Sequence, residues 1–67
     1  MDDKITIAID AMGGENSPEK NIEGLSIFLK KYKNSKNIFF NLYGKEEKIK
    51  INLKKFRVND QNIKIFN

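Results

Sequence analysis

The sequence has no cysteine, no histidine and no tryptophan, and a single proline in 67 residues. Without cysteine no disulfide can staple a small core, and without Cys or His there is no zinc-type ligand cluster. A cysteine-free chain fits a reducing compartment. The missing histidine removes the commonest general base. No Ser/His/Asp set, cysteine nucleophile or paired-carboxylate spacing takes its place. No apolar run approaches the roughly 20 residues of a membrane span. The opening MDDK is acidic, unlike the basic start of a signal peptide.

Arginine is also scarce. Arg57 is the only one among 13 basic residues, which face 9 acidic ones for a net charge of +4. A basic balance raises nucleic-acid binding as a function class. Base readers favour arginine, however, and single-strand binders stack bases on exposed aromatics. Here the lysines are spread between Lys4 and Lys64, and Phe39, Phe40, Leu42 and Tyr43 lie in one apolar run that reads as core. No nucleic-acid partner is expected. The joint abundance of Lys, Asn and Ile fits a genome rich in AT codons. A chain of this size is at most one domain, and it buries only about 60% of its unfolded surface.

The organisation is clearer than the composition. In residues 4–10, KITIAID, isoleucines 5, 7 and 9 alternate with Lys4, Thr6 and the small Ala8, a strand pattern. Residues 11–17, AMGGENS, read as a loop. Pro18 suits the first helical position with Ser17 as N-cap, and Glu19 suits the positive end of the helix dipole. Ile22, Leu25, Leu29 and Tyr32 then form one helical stripe, widened by Phe28, with Lys30, Lys31 and Lys33 at the far end. Gly24 within the helix implies close packing on a sheet. Asn34 to Asn37 break the helix.

Residues 38–43, IFFNLY, read as a strand buried on both faces. In residues 45–56, Ile49, Leu53 and Phe56 recur at steps of four and three. Glu46 and Glu47 come early and Lys54 and Lys55 late, so a helix is favoured over the competing KIKINL strand. Residues 57–61 read as a loop and 62–66 as a third strand. The order β-α-β-α-β predicts an α/β fold with a parallel sheet. Two helices cover three strands only partly, and the sequence stops just after a strand. These 67 residues are therefore expected to be the N-terminal part of a single larger α/β domain, poorly stable and inactive alone. The alternative is a small domain completed by oligomerisation.

In open α/β sheets, ligands bind beyond the carboxyl ends of the strands. Asp10 falls at that end of the first strand. Gly13 and Gly14 permit φ > 0 and close backbone approach, and the helix start favours anions. The stretch is a candidate phosphate cradle. Neither G-x-G-x-x-G nor G-x-x-x-x-G-K-[ST] is present, so a nicotinamide cofactor or ATPase activity lacks support. A tight turn explains the glycine pair equally well. Asp10 repels a bare anion, and it either contacts substrate or fixes the loop by accepting backbone N–H bonds. Glu15 and Glu19 read as solvated. Lys45 is a candidate cation at the same edge, or simply an exposed lysine.

The residues KITIAIDAMGGENSPEKNIEGL resemble the N-terminus of the bacterial PlsX-type phosphate acyltransferases. Asp10, Met12, Gly13, Gly14, Glu15 and Pro18 match the family's Asp-x-Met-Gly-Gly-[Asp/Glu] pattern and the proline after it. FFNLYGKEEKI is similar to the second strand, with Tyr43 where valine is usual, and NIKIFN to the third. The resemblance covers essentially the whole chain, about a fifth of a family member. It implies a Rossmann-like start of a larger domain similar to isocitrate and isopropylmalate dehydrogenases. It further implies fatty acyl transfer from acyl-carrier protein to inorganic phosphate, yielding acyl phosphate for phospholipid synthesis. The implied partners are the acyl-carrier protein thioester and phosphate, a second copy in a homodimer, and a membrane glycerol-3-phosphate acyltransferase. The implied location is cytoplasmic with peripheral attachment to the inner membrane, and no redox cofactor or metal is expected. Asp10, Met12, Gly13 and Gly14 are the candidate substrate- or phosphate-binding residues, and no catalytic residue is assigned. Two other readings stay open: a non-catalytic phosphate- or nucleotide-binding module, and a basic nucleic-acid-binding domain.

Overall fold

A computed structural model describes residues 3–32, 36–59 and 61–67. The elements alternate as expected: β1 (Ile5–Asp10), α1 (Glu19–Lys31), β2 (Ile38–Tyr43), α2 (Glu46–Lys55) and β3 (Ile63–Phe66). The strands pair in parallel in the order β1-β2-β3. Within the 45–56 segment Glu46–Lys55 is helical, with Lys45 and Phe56 as its caps, in keeping with the charge polarity and three-four spacing. Lys33, Asn34, Ser35 and Asp60, parts of the expected helix end, break and loop, lie outside the described residues.

Register sorts the side chains. Ile7 pairs with Phe40 and Ile9 with Leu42, while Phe40 pairs with Ile63 and Leu42 with Ile65. Partners in register share a face, so this face is aliphatic and aromatic. Phe40 and Leu42 are buried there with Ile22 and Leu25 of α1 and Ile49 of α2. Both helices therefore lie on one face, the outcome when two crossovers of one hand step across the sheet in the same direction. Full burial of an Ile or Leu side chain contributes about 1.5–3 kcal/mol, so Ile22, Leu42 and Ile49 dominate this small core.

The expectation of a second strand buried on both faces is corrected. Phe40 and Leu42 are buried, but Phe39 and Asn41 are half-buried and Tyr43 is exposed. The open face carries Thr6, Ala8, Asn41, Lys64 and stacked Tyr43 and Phe66, whose ring centroids are 5.0 Å apart. Lys4 Nζ sits 4.5 Å from the Phe39 ring centre. An apolar run alone does not say how many faces are covered, and here its open face carries Asn41 between two rings, Phe39 beside Lys4 and Tyr43 stacked on Phe66.

Gly24 is also corrected. It is exposed, and a Cβ built on it meets nothing within 4 Å. It packs on no strand among the described residues.

Asparagines tie the ends of the layers together. Asn37 Nδ2 donates to the Asp3 carbonyl at 2.7 Å. Asn62 Nδ2 donates to the carbonyls of Lys36 and Ile38, both at 3.0 Å. At the opposite edge Asn67 Oδ1 accepts the Glu46 N–H at 3.2 Å, supplying the cap that α2 lacks locally. Among the described residues no helix is long and apolar enough to cross a membrane.

Candidate functional site

β1 ends at Asp10, and the chain needs eight residues to reach α1. The Ala11 N–H donates to the Tyr43 carbonyl at 2.9 Å, extending the β1–β2 ladder by one residue, and Ala11 is fully buried. The backbone then turns sharply. Asp10 Oδ1 accepts the Met12 N–H at 3.1 Å, and the Asp10 carbonyl accepts the Gly13 N–H at 3.2 Å. This is an Asx-type arrangement, in which a short carboxylate substitutes for a backbone acceptor. Asp10 thus sets the loop, one of the two roles left open by the sequence.

Met12 bends back from the loop onto β2. A Cβ on Gly44 would lie 2.5 Å from Met12 Cγ and 3.3 Å from Ile49 Cδ1. The thioether therefore fills the space left by a missing side chain at the β2–α2 junction. Gly13 and Gly14 are exposed, and Gly14 has φ +88°, a conformation L side chains rarely adopt. Asn16 follows at φ 61°, where asparagine is among the tolerated residues.

Ser17 does not act as the expected N-cap. The residue flanking the helix is Pro18, with no side-chain cap bond. The Ser17 hydroxyl turns back and donates to the carbonyls of Gly13 and Gly14. A serine before a helix can bond forward to amides or backward to carbonyls. The glycine turn brings two carbonyls within reach and so decides the choice.

Glu19 is not merely solvated either. Lys55 at the end of α2 donates to its carboxylate, and that hydrogen bond and charge hold the Glu19 carboxyl below its usual range. Glu15 is exposed, as is Lys45 at the start of α2. Among the described residues no group of His, Cys, Asp or Glu could hold a metal ion.

One contributor escaped the sequence reading. Asn21, half-buried on the first turn of α1, places Nδ2 2.9 Å from the Ala11 carbonyl and 3.0 Å from the Gly13 carbonyl. It was detectable in principle, being four residues after Ser17 and adjacent to the apolar stripe at Ile22. The amides of Gly14 and Glu15 donate to no acceptor among the described residues. The loop therefore offers backbone donors at the carboxyl edge of the sheet, beside the positive end of a helix.

A parallel β-α-β-α-β unit with a glycine loop after its first strand is the start of a Rossmann-like α/β domain. No protein-family model matches the chain. Individual relatives do. The chain is 51% identical over 49 residues to a phosphate acyltransferase of Oenococcus oeni, covering 73% of this chain and 13% of that protein. It is 49% identical over 45 residues to that of Pelagibacter ubique, covering 67% and 13%. It is 37% identical over 62 residues to that of Anaplasma phagocytophilum, covering 91% and 18%. The chain thus spans less than a fifth of these relatives. Over that part of their length it is similar to the phosphate acyltransferases, as the Asp-x-Met-Gly-Gly run had implied.

Proposed function

We propose that the full-length protein transfers a fatty acyl group from acyl-carrier protein to inorganic phosphate, with the β1–α1 loop contributing to the anion or oxyanion site. The Gly14 and Glu15 amides at the ligand edge of the sheet, without an acceptor among the described residues, carry this reading, together with the similarity to proteins named phosphate acyltransferase. In the proposed step a phosphate oxygen attacks the thioester carbonyl. The C–S bond breaks, and the phosphate hydroxyl proton passes to the departing carrier thiolate. The products are acyl phosphate and carrier thiol. Backbone amides aimed at developing negative charge are a common source of such stabilisation. Asp10 Oδ1 accepts the Met12 amide, so in this reading the residue serves the loop first.

The reading extends to the surroundings. These 67 residues are one part of a larger dehydrogenase-like α/β domain, the protein works as a homodimer attached peripherally to the inner membrane, and its acyl phosphate feeds phospholipid synthesis. The decisive assay combines full-length protein, an acyl-carrier thioester and phosphate. Acyl phosphate must form in step with thiol release. Thiol release at the same rate without phosphate would sink the proposed attack and leave a binding or hydrolytic role instead.

A further inference from the structure

We infer that Asn21 is a positioning residue for this loop, fixing the direction of the Gly14 amide through the Gly13 carbonyl that precedes it, and supporting Ser17, which holds the Gly14 carbonyl ahead of the Glu15 amide. The inference rests on the acyl-transfer reading for its kinetic part and on geometry alone for the rest. Asn21 Nδ2 faces four oxygens: the carbonyls of Ala11 at 2.9 Å, Gly13 at 3.0 Å and Asp10 at 3.3 Å, and Ser17 Oγ at 3.2 Å. Carbonyls only accept, and the single hydroxyl proton of Ser17 is directed to the glycine carbonyls. The side-chain atom turned toward them must therefore be the nitrogen, which fixes the amide orientation.

The consequence follows from peptide planarity. In a trans peptide the N–H points opposite to the C=O of the preceding residue. Asn21 and Ser17 hold the Gly13 carbonyl toward the helix, so the Gly14 N–H points away from it. Ser17 holds the Gly14 carbonyl likewise, so the Glu15 N–H points away too. Both amides are among those of the loop and helix start that have no acceptor among the described residues. A glycine pair is otherwise free to flip its peptide planes, because glycine populates φ of either sign. Asn21 removes that freedom from within α1, a rigid element, and leaves the donors aimed outward before any ligand arrives.

The test uses full-length protein and inorganic phosphate. Asn21→Asp keeps the shape but replaces the donor with an oxygen facing carbonyls. It is expected to raise the phosphate KM about tenfold while kcat stays within about threefold, the pattern of lost ground-state binding. Asn21→Gln retains the donor on a longer arm and should recover part of that loss. Amide hydrogen exchange reads the loop directly: Met12 and Gly13 N–H should exchange about tenfold faster in Asn21→Asp, because their shared anchor at Asp10 opens more often. An unchanged phosphate KM, a fall in kcat alone, or Asn21→Gln as damaging as Asn21→Asp would overturn the role. Should Asn21→Asp not fold, Asn21→Ala removes the donor without adding charge and is read in its place. Wild-type protein that makes no acyl phosphate overturns the functional reading instead. The positioning claim then stands or falls on the exchange rates.

Discussion

The two strand-to-helix junctions are opposites. After β1 the chain takes eight residues to reach α1, and three side chains, Asp10, Ser17 and Asn21, hold that path from inside. After β2 it takes only Gly44 and Lys45. The short junction has no internal side-chain bonds. It is closed by neighbours: Met12 against Gly44, the Phe66 carbonyl accepting the Gly44 N–H at 3.0 Å, and Asn67 on the Glu46 amide. Length separates their uses. A two-residue turn can only connect, whereas an eight-residue loop can carry unpaired donors at the sheet edge. Met12 makes the two interdependent, because the long loop folds against the short one.

That dependence gives the largest predicted effect. Gly44→Ala puts a Cβ 2.5 Å from Met12 Cγ at a residue whose φ is +154°, and it should destabilise the protein by about 1–3 kcal/mol. A denaturant midpoint measures it. Combining it with Met12→Ala separates steric from backbone cost, since only the steric part is relieved. Gly14→Ala meets nothing closer than Ser17 Oγ at 4.0 Å, so its penalty comes from φ +88° alone. About 1–2 kcal/mol is expected, with no rescue by Met12→Ala. A rescue there would show that the junctions are not as distinct as their geometry.

Asp10→Ala removes the acceptor for the Met12 amide and should cost about 1 kcal/mol, with Asp10→Asn restoring much of it through the retained oxygen. Gly24→Ala lies outside both junctions and should stabilise α1 by up to about 1 kcal/mol, because its Cβ enters open space. The smallest effect belongs to Glu19→Gln, at the exit of the long loop. A depressed carboxyl pKa means that the pair with Lys55 stabilises fully above the ordinary glutamate value of about 4.3 and fades as pH falls through the lowered one. The variant should melt slightly lower than wild type at neutral pH, converge with it in acid, and lose the difference in high salt.

Periodicity made the elements legible. Isoleucines 5, 7 and 9 and the stripe Ile22, Leu25 and Leu29 specify one strand and one helix whatever surrounds them. Side-chain direction was less legible. Nothing in IFFNLY says that both helices land on the Phe40 and Leu42 side, because that follows from strand order. The glycine loop stood out by composition, and the sign of Asp10 left it two roles, of which the Met12 hydrogen bond shows the loop-setting one. Ser17 stood out for a cap it does not make and Asn21 did not stand out, because a hydroxyl or amide serves caps, turns and solvent equally well. Only the path of the loop selects among those uses.

The asparagines at the strand entrances carry one more consequence, for how the chain arrives at this arrangement. Asn37 reaches Asp3, two residues ahead of β1, and Asn62 grips both sides of the start of β2. A slip of one residue turns every side chain of a strand to the opposite face, and it would strand each of these amides opposite the wrong carbonyl. They act as alignment marks: short-range checks, far from the glycine loop, that reward only the in-register search outcome and let the carboxyl edge inherit its alignment from the opposite end of the sheet.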